Sequence, residues 1–192
     1  MQNDLSKRQE EIIKASLELI AEKGIQGFTI KNLSKKIVLV ESAIYRHYES
    51  KTHILIAILD NIGSYMPPLK NKENLSVLEI LEYKVKNHFT AFTEFPALVS
   101  VVFSEEIFQN EKLLIDRTNK KIQSSIFEMT TLIEKGQKNG EIRNDIEPEH
   151  FAVMIAGTIR LFVKQWKMAG YSFDLVKKGN QLIKSLKLIL KP

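Results

Sequence analysis

This sequence predicts an all-α fold of about nine helices, and three observations carry that reading. Apolar residues recur at i, i+3 and i+4 along most of the 192 residues, the period of a helix with one buried face. No stretch alternates apolar and polar residues for long enough to argue for a sheet. Helix-ending residues fall between the periodic segments, at Gly24, Pro67-Pro68, Pro96, Asn139-Gly140 and Pro148.

The first helix is expected from about Ser6 to Lys23. Ile12, Ala15, Ser16, Leu19 and Ile20 form its inner face, charged residues lie off that face, and Gly24 supplies the stop. Thr29 suits the N-cap of a short second helix that turns Ile30, Leu33 and Ile37 inward. A turn at Val38-Leu39 leads to a third helix from Val40 to His47. Ser50 caps a fourth, in which Ile54, Leu55, Ile58, Leu59, Ile62 and Met66 make an apolar face wide enough to be clasped from two sides. Pro67-Pro68 ends it, and residues 70–74 connect onward.

A second block of helices follows. Leu75 to Phe92 places Leu78, Leu81, Val85, His88 and Phe92 on one stripe. Pro96 sits well as the first residue of a helix reaching Phe108. A long helix from about Glu111 to Lys138 ends at Asn139-Gly140, and another starts at Pro148 and runs to about Ala169. The last, about Asp174 to Leu190, is amphipathic, with its lysines mostly off the apolar stripe.

Composition excludes several chemistries. Cysteine is absent, which rules out disulfides, zinc–cysteine sites and thiol nucleophiles and suits a reducing cytoplasm. The start, MQNDLSKRQEEIIK, has no apolar segment of the secretory kind. The longest apolar run, Phe151 to Ile159 and on to Val163 after Arg160, is shorter than the ~20 residues that cross a bilayer, so no membrane partner is expected. His53, His88 and His150 are scattered, without H-x-x-x-H spacing or a paired carboxylate, and Glu105-Glu106 point in different directions on a helix. No catalytic residue, metal site or cofactor is therefore expected. The net charge of +5 is spread as +2 over residues 1–55, −4 over 56–159 and +7 over 160–192. That is compatible with nucleic acid, but the most basic stretch is the C-terminus.

Leu33 to Lys51, read LSKKIVLVESAIYRHYESK, has the spacing of two short helices joined by a tight turn. Tyr45-Arg46-His47-Tyr48 closes the second, and Lys51 begins the next. Such a helix has little to catalyse, but it can hold a phosphate backbone while its outer face reads base edges. Lys51 joins a cation to the free backbone N–H groups of a helix N-terminus, which is an anion site.

RQEEIIKASLELIAEKG from Arg8 to Gly24, FTIKNLSKKI from Phe28 and AIYRHYESK from Ala43 to Lys51 together resemble the TetR/AcrR family of bacterial transcriptional regulators. The likeness is close over about residues 8–60 and one of architecture beyond. It implies an N-terminal three-helix helix-turn-helix DNA-binding domain, residues 1–50, joined to a C-terminal helical effector-binding and dimerisation domain, residues 51–192. It also implies a homodimeric, sequence-specific regulator, generally a repressor, that leaves its double-stranded operator when a small, largely apolar effector binds. The implied DNA contacts are Thr29 and Lys31 on the second helix, and Glu41, Ser42 and Ala43 at the start of the recognition helix. Tyr45, His47 and Lys51 would clamp phosphate, with Arg46 reaching a base or a phosphate. Tyr48 occupies a core aromatic position, and Lys35 and Lys36 are a solvated face.

Two positions depart from that family. Val38 stands where a glycine is usual and Val40 where Ser or Thr is usual. A β-branched residue in left-handed backbone costs ~1–2 kcal/mol, and a missing cap ~0.5–2 kcal/mol. A reshaped turn that keeps DNA binding is expected, because the sequence after it is intact.

An effector pocket is expected among His88, Phe89, Phe92, Phe103, Phe127 and Trp166, with His88 the polar group among apolar ones. Arg117 and Gln123 are weaker candidates, and the competing reading makes all the aromatics plain core. A dimer face is expected from Phe151, Ile155, Ile159 and Phe162 with Leu182, Leu186 and Ile189, two helices from each subunit. Other functions stay open: a DNA-associated structural protein of the same fold without effector sensing, or an all-α ligand-binding module with an incidental helix-turn-helix.

Overall fold

The computed structural model describes residues 5–69, 72–103 and 111–192, and among these the regular structure is entirely helical. The α-helices are α1 (Lys7–Gly27), α2 (Ile30–Lys36), α3 (Glu41–Tyr45), α4 (Lys51–Asp60), α5 (Val77–Glu94), α6 (Pro96–Val102), α7 (Lys112–Lys138), α8 (Pro148–Met168) and α9 (Leu175–Leu190). The chain folds as two compact units. One takes residues up to Tyr65 together with Phe95–Asn119; the other takes Met66–Glu94 and Lys120–Pro192. The expected helix end at Phe108, and Glu105-Glu106, lie outside the described residues.

The first unit is organised by α1. A reciprocal capping box starts it: the Gln9 N–H donates to Ser6 Oγ at 3.3 Å, and the Ser6 N–H donates to Gln9 Oε1 at 3.0 Å. Ile12, Leu19 and Ile20 are almost fully buried, and Ser16 sits among them by donating its hydroxyl to the Ile12 carbonyl at 2.7 Å. Gly24 does not end the helical segment. It kinks it, at φ 67° and ψ 177°, and a further turn buries Ile25 before Phe28.

α2 and α4 pack on α1, and so does α6, which also packs on α4. Ala97, Leu98, Val99 and Val101 of α6 thus complete a core begun some eighty residues earlier in the chain. The wide apolar face of α4 is indeed held from two sides, with Ile54, Leu55, Ile58 and Leu59 buried. That helix is shorter than its hydrophobic pattern. It stops at Asp60, the Asn61 amide donates to the Ala57 carbonyl at 2.8 Å, and Ile62–Tyr65 continue as a 3-10 turn.

In the second unit α5 packs against α9 and α8. Its start at Val77 is fixed by a Ser76–Glu79 capping pair and by the Val77 N–H donating to Glu141 at 2.6 Å. Gly179 lets α9 approach α5: a Cβ there would collide with the ring of Phe89. Phe89 in turn meets Phe162 edge-on, with ring centroids 6.4 Å apart. The long helix α7 ends at Gly140, whose φ of 71° only glycine adopts freely. Gln137 then donates to the carbonyls of Arg143 and Ile146, at 2.9 and 2.8 Å, which shapes the loop into α8.

Candidate functional site

α2 and α3 form a helix-turn-helix on the surface of the first unit. Thr29 caps α2 by accepting the Asn32 N–H at 3.1 Å, while Asn32 donates to the Gly27 carbonyl at 2.9 Å. Ile30 and Leu33 turn inward, and Thr29 and Lys31 stay exposed. Lys36 is unavailable, held by Glu22 at 2.7 Å and Glu18 at 3.3 Å.

The turn between the helices keeps its left-handed backbone, contrary to the expectation that it is reshaped. Val38 has φ 53°. The Leu39 N–H reaches the Ser34 carbonyl at 2.9 Å and the Val38 N–H reaches Lys35 at 3.4 Å. Those are the two bonds of a Schellman motif, whose left-handed position glycine normally fills. Val38 therefore carries the strain and is 88 % exposed, so its side chain gains nothing in compensation. Val40 caps α3 with extended backbone and no side-chain bond.

α3 has a single buried anchor, Ile44. Everything else on it faces outward or half outward: Glu41, Ser42, Ala43 and Tyr45, followed by Arg46 and His47. Tyr48 turns inward instead. Its hydroxyl is buried without a hydrogen-bond partner among the described residues, and burial pushes the phenol up to about 12. Lys51 opens α4 with its ammonium 5.8 Å from the centroid of the Phe28 ring. Ser50 caps that helix by accepting the His53 N–H at 3.4 Å, and its Oγ lies 3.0 Å from His53 Nδ1. His53, one of the scattered histidines of the sequence, thus sits in the first turn of α4 against its serine cap. Every expected DNA contact is thus on the surface from α2 to the first turn of α4.

Five of the six expected pocket residues belong to the second unit, where their surroundings differ. Phe127 is 73 % exposed on α7, because its turn of that helix faces away from the core. Trp166 is spent at the end of α8, where its indole N–H donates to the Phe173 carbonyl at 2.8 Å and its ring meets Tyr171. Phe103 belongs to the other compact unit. Phe89 is taken up by Phe162 and Gly179. His88 and Phe92 remain neighbours one turn apart, their ring centroids separated by 6.5 Å. His88 shares a 2.7 Å hydrogen bond with the Lys84 carbonyl through Nδ1, and burial lowers its affinity for a proton. A separate shallow recess, with room for little more than a water molecule, lies between α5, α8 and α9, lined by Leu81, Val85, Ile155 and Ile183, with the Glu82–Lys187 ion pair beside it.

The expected dimer face is also corrected. Phe151, Ile155 and Ile159 are 1, 1 and 7 % exposed, so they belong to the core of their own chain. Phe162 is half-buried against Phe89, and Leu182 and Leu186 are half-buried on α9; only Ile189 of the expected set is exposed. The opposite side of α8 carries Val153, Met154, Gly157 and Leu161 at the surface, and Leu188 and Ile189 of α9 are exposed as well. An apolar run that continues all round a helix shows no periodicity, which is why the sequence could not choose between its faces.

Among the described residues, no cluster of His, Asp or Glu is placed to hold a metal, and no helix is long and apolar enough to cross a membrane. Residues 12–58 match the family described as bacterial regulatory proteins, tetR family, and residues 60–190 match the YsiA-like C-terminal region. The chain belongs to the TetR family of bacterial transcriptional regulators. Its helix-turn-helix is thus a DNA-binding element and not an incidental pattern. A fatty acid metabolism regulator protein of Bacillus subtilis is 25 % identical over 179 residues, covering 92 % of both chains. The fold is that of the fatty acid degradation regulator FadR from Bacillus halodurans (TM-score 0.84, 21 % identity, 96 % of this chain and 97 % of that one). FadR from Bacillus subtilis, solved in complex with stearoyl-CoA, is similar at TM-score 0.81 and 24 % identity, over 96 % of this chain and 100 % of that one.

Proposed function

We propose that this TetR-family regulator is a homodimeric repressor released from its operator by a long-chain acyl thioester of coenzyme A. The observation that carries the effector class is the likeness to the fatty acid metabolism regulator, which covers 92 % of both chains and so spans the C-terminal region as well as the helix-turn-helix. The stearoyl-CoA complex of a protein with the same fold supports the same class. Residues 1–50 serve as the DNA-binding part and residues 51–192 as the effector and dimer part.

The exposed apolar stripe of α8, Val153, Met154, Gly157 and Leu161, supports dimerisation when taken with Leu188 and Ile189 of α9. Two such pairs make an isologous four-helix contact. A dimer sets two copies of α3 about one helical turn apart, ~34 Å, or a multiple of it. The effector releases DNA only if it prefers the arrangement in which that spacing is wrong. The last residue of α4, Asp60, is gripped by Arg117 on α7. Because α7 continues into the second compact unit, it is the route by which effector binding moves α4.

The experiment is a gel shift. The duplex is recovered from a random pool by in vitro selection with the purified protein, and stearoyl-CoA, free stearate and coenzyme A are titrated against the complex. Release by stearoyl-CoA at micromolar concentration, and not by coenzyme A, is the expected result. Release by none of the three would refute the effector class while leaving the DNA-binding assignment standing.

A further inference from the structure

Within the second compact unit α5 and α7 run antiparallel, as two contacts show. A Cβ on Gly136 of α7 would come within 3.0 Å of Val77 Cγ1 at the start of α5. Farther along, Lys84 Nζ lies 3.5 Å from Glu128 Oε2. The same register, continued along α5, brings His88 and Phe92 level with Ile122 and Ile126 of α7. The packing of α7 changes on the way. Ile133 and Met129 are 0 and 7 % exposed, whereas Ile122 is 45 % exposed and Ile126 half-buried. Ile122 stands two turns before Met129 and within about 20° of it around the helix axis. One apolar side of α7 is therefore sealed at Met129 and open at Ile122, level with His88.

His88 stands in the middle of the inner face of α5. Val77, Leu81, Ala91 and Phe92, which flank it around the helix, are buried, while His88 itself keeps some exposure. Its tautomer is fixed. A carbonyl only accepts, so the 2.7 Å bond to the Lys84 carbonyl puts the ring hydrogen on Nδ1. Burial disfavours a second proton, which leaves the ring neutral and Nε2 a lone-pair acceptor. Among the described residues Nε2 has no hydrogen-bond partner. An acceptor held in place among apolar side chains is satisfied only by an N–H or O–H that comes from outside the chain.

We propose that His88 Nε2 accepts the amide N–H beside the thioester of the effector, whose acyl chain lies along Ile122, Ile126 and Phe92. The assignment rests on the acyl-thioester reading of the effector and names the group recognised in it. In a coenzyme A thioester the nearest amide of the pantetheine arm is a short ethylene link from the sulfur, so it is the donor closest to the acyl chain. An ionised fatty acid carries acceptors alone, and the same nitrogen selects against it.

The test is calorimetric titration with two lauroyl thioesters. S-lauroyl-N-acetylcysteamine carries the amide N–H; S-lauroyl-2-mercaptoethyl acetate has an ester oxygen in its place. Wild type should prefer the amide by about tenfold or more, because the ester sets an oxygen against Nε2. His88→Leu should bind the two within about threefold of each other, through loss of affinity for the amide. His88→Gln, whose side chain can accept or donate, should bind both compounds. A histidine with a structural role alone would leave the preference intact in His88→Leu, and that result overturns the proposal. Ile122→Trp, at an exposed position, fills the opening and should cost both compounds about tenfold at an unchanged melting temperature. Unchanged affinity in that variant overturns the location. Should His88→Leu fail to fold, wild type and Ile122→Trp decide. Equal binding of amide and ester by wild type overturns the inference and leaves the effector class standing. Wild type that binds neither thioester overturns both together.

Discussion

Arg117 grips Asp60 with two parallel hydrogen bonds, Nε to Oδ1 at 2.7 Å and Nη2 to Oδ2 at 2.5 Å. The pair fastens the last residue of α4 to the second turn of α7. Both side chains keep some exposure, 43 and 26 %, so the pair contributes about 0.5–1 kcal/mol to stability. Asp60→Asn should lower the melting temperature by a few degrees at most, yet blunt the release of DNA by stearoyl-CoA. Melting curves and effector titrations of the variant check this; wild-type release would show that α4 is driven through other contacts.

The turn before α3 should be improvable. Val38→Gly removes ~1–2 kcal/mol of left-handed strain and adds back ~0.5–1 kcal/mol of unfolded-chain entropy, a small net gain. Val40→Ser supplies the missing cap on backbone already extended at φ −78° and ψ 147°, worth ~0.5–2 kcal/mol. The double variant should melt several degrees higher than wild type in thermal denaturation. No change would mean that the strain is relieved elsewhere.

Tyr48 buries a hydroxyl that has no hydrogen-bond partner among the described residues. Tyr48→Phe removes that orphan and should stabilise the protein by about 1 kcal/mol. The pH dependence has a definite sign. The folded phenol is raised from 10.0 to about 12, so its neutral form is favoured in the folded state. That contribution is fully present below pH 10 and is lost as pH rises through 12. Denaturant titrations between pH 8 and 11 should show a steeper alkaline loss in wild type than in Tyr48→Phe.

Contacts at the helix-turn-helix should sort by role. Tyr45→Ala or His47→Ala should weaken binding to selected and random duplexes alike, because phosphate contacts carry no sequence. Ser42→Ala or Arg46→Ala should change which duplex is preferred, each base contact being worth ~1–3 kcal/mol. Anisotropy against a panel of single-base operator variants reads the difference, and the converse pattern would overturn the sorting.

Dimerisation should depend on the outer side of α8. Leu161→Glu, at a position 55 % exposed, should yield a folded monomer in light scattering. Ile155→Glu, at a position 1 % exposed, should instead unfold the chain. A dimeric Leu161→Glu would place the subunit contact on another face.

How much of this was legible depended on whether a feature was local. Helix boundaries followed caps and breakers, so Ser6, Thr29, Ser50 and Asp174 each caps the helix it was expected to start, by accepting an N–H from three residues on. Val38 and Val40 stood out only against the residues usual in the family at those positions. Locality failed where one pattern served two neighbours. Ile62 and Met66 extend the apolar face of α4 in sequence, but the α-helix stops before them.

The sequence by itself determined the family, the helix-turn-helix and the outward residues of α3, because these depend on spacing within a few turns of chain. Tertiary structure decided what periodicity cannot carry: that α6 completes the core of α1 and α4, that Phe127 faces solvent, and which side of α8 is spent on its own chain. A helix flanked by apolar residues all round has no preferred face until its neighbours are in place. The first turn of α4 needed both kinds of information: the serine and the histidine stand in the sequence, and the contacts of the His53 ring with Ser50 Oγ and the Glu49 carboxylate appear only when that turn has formed.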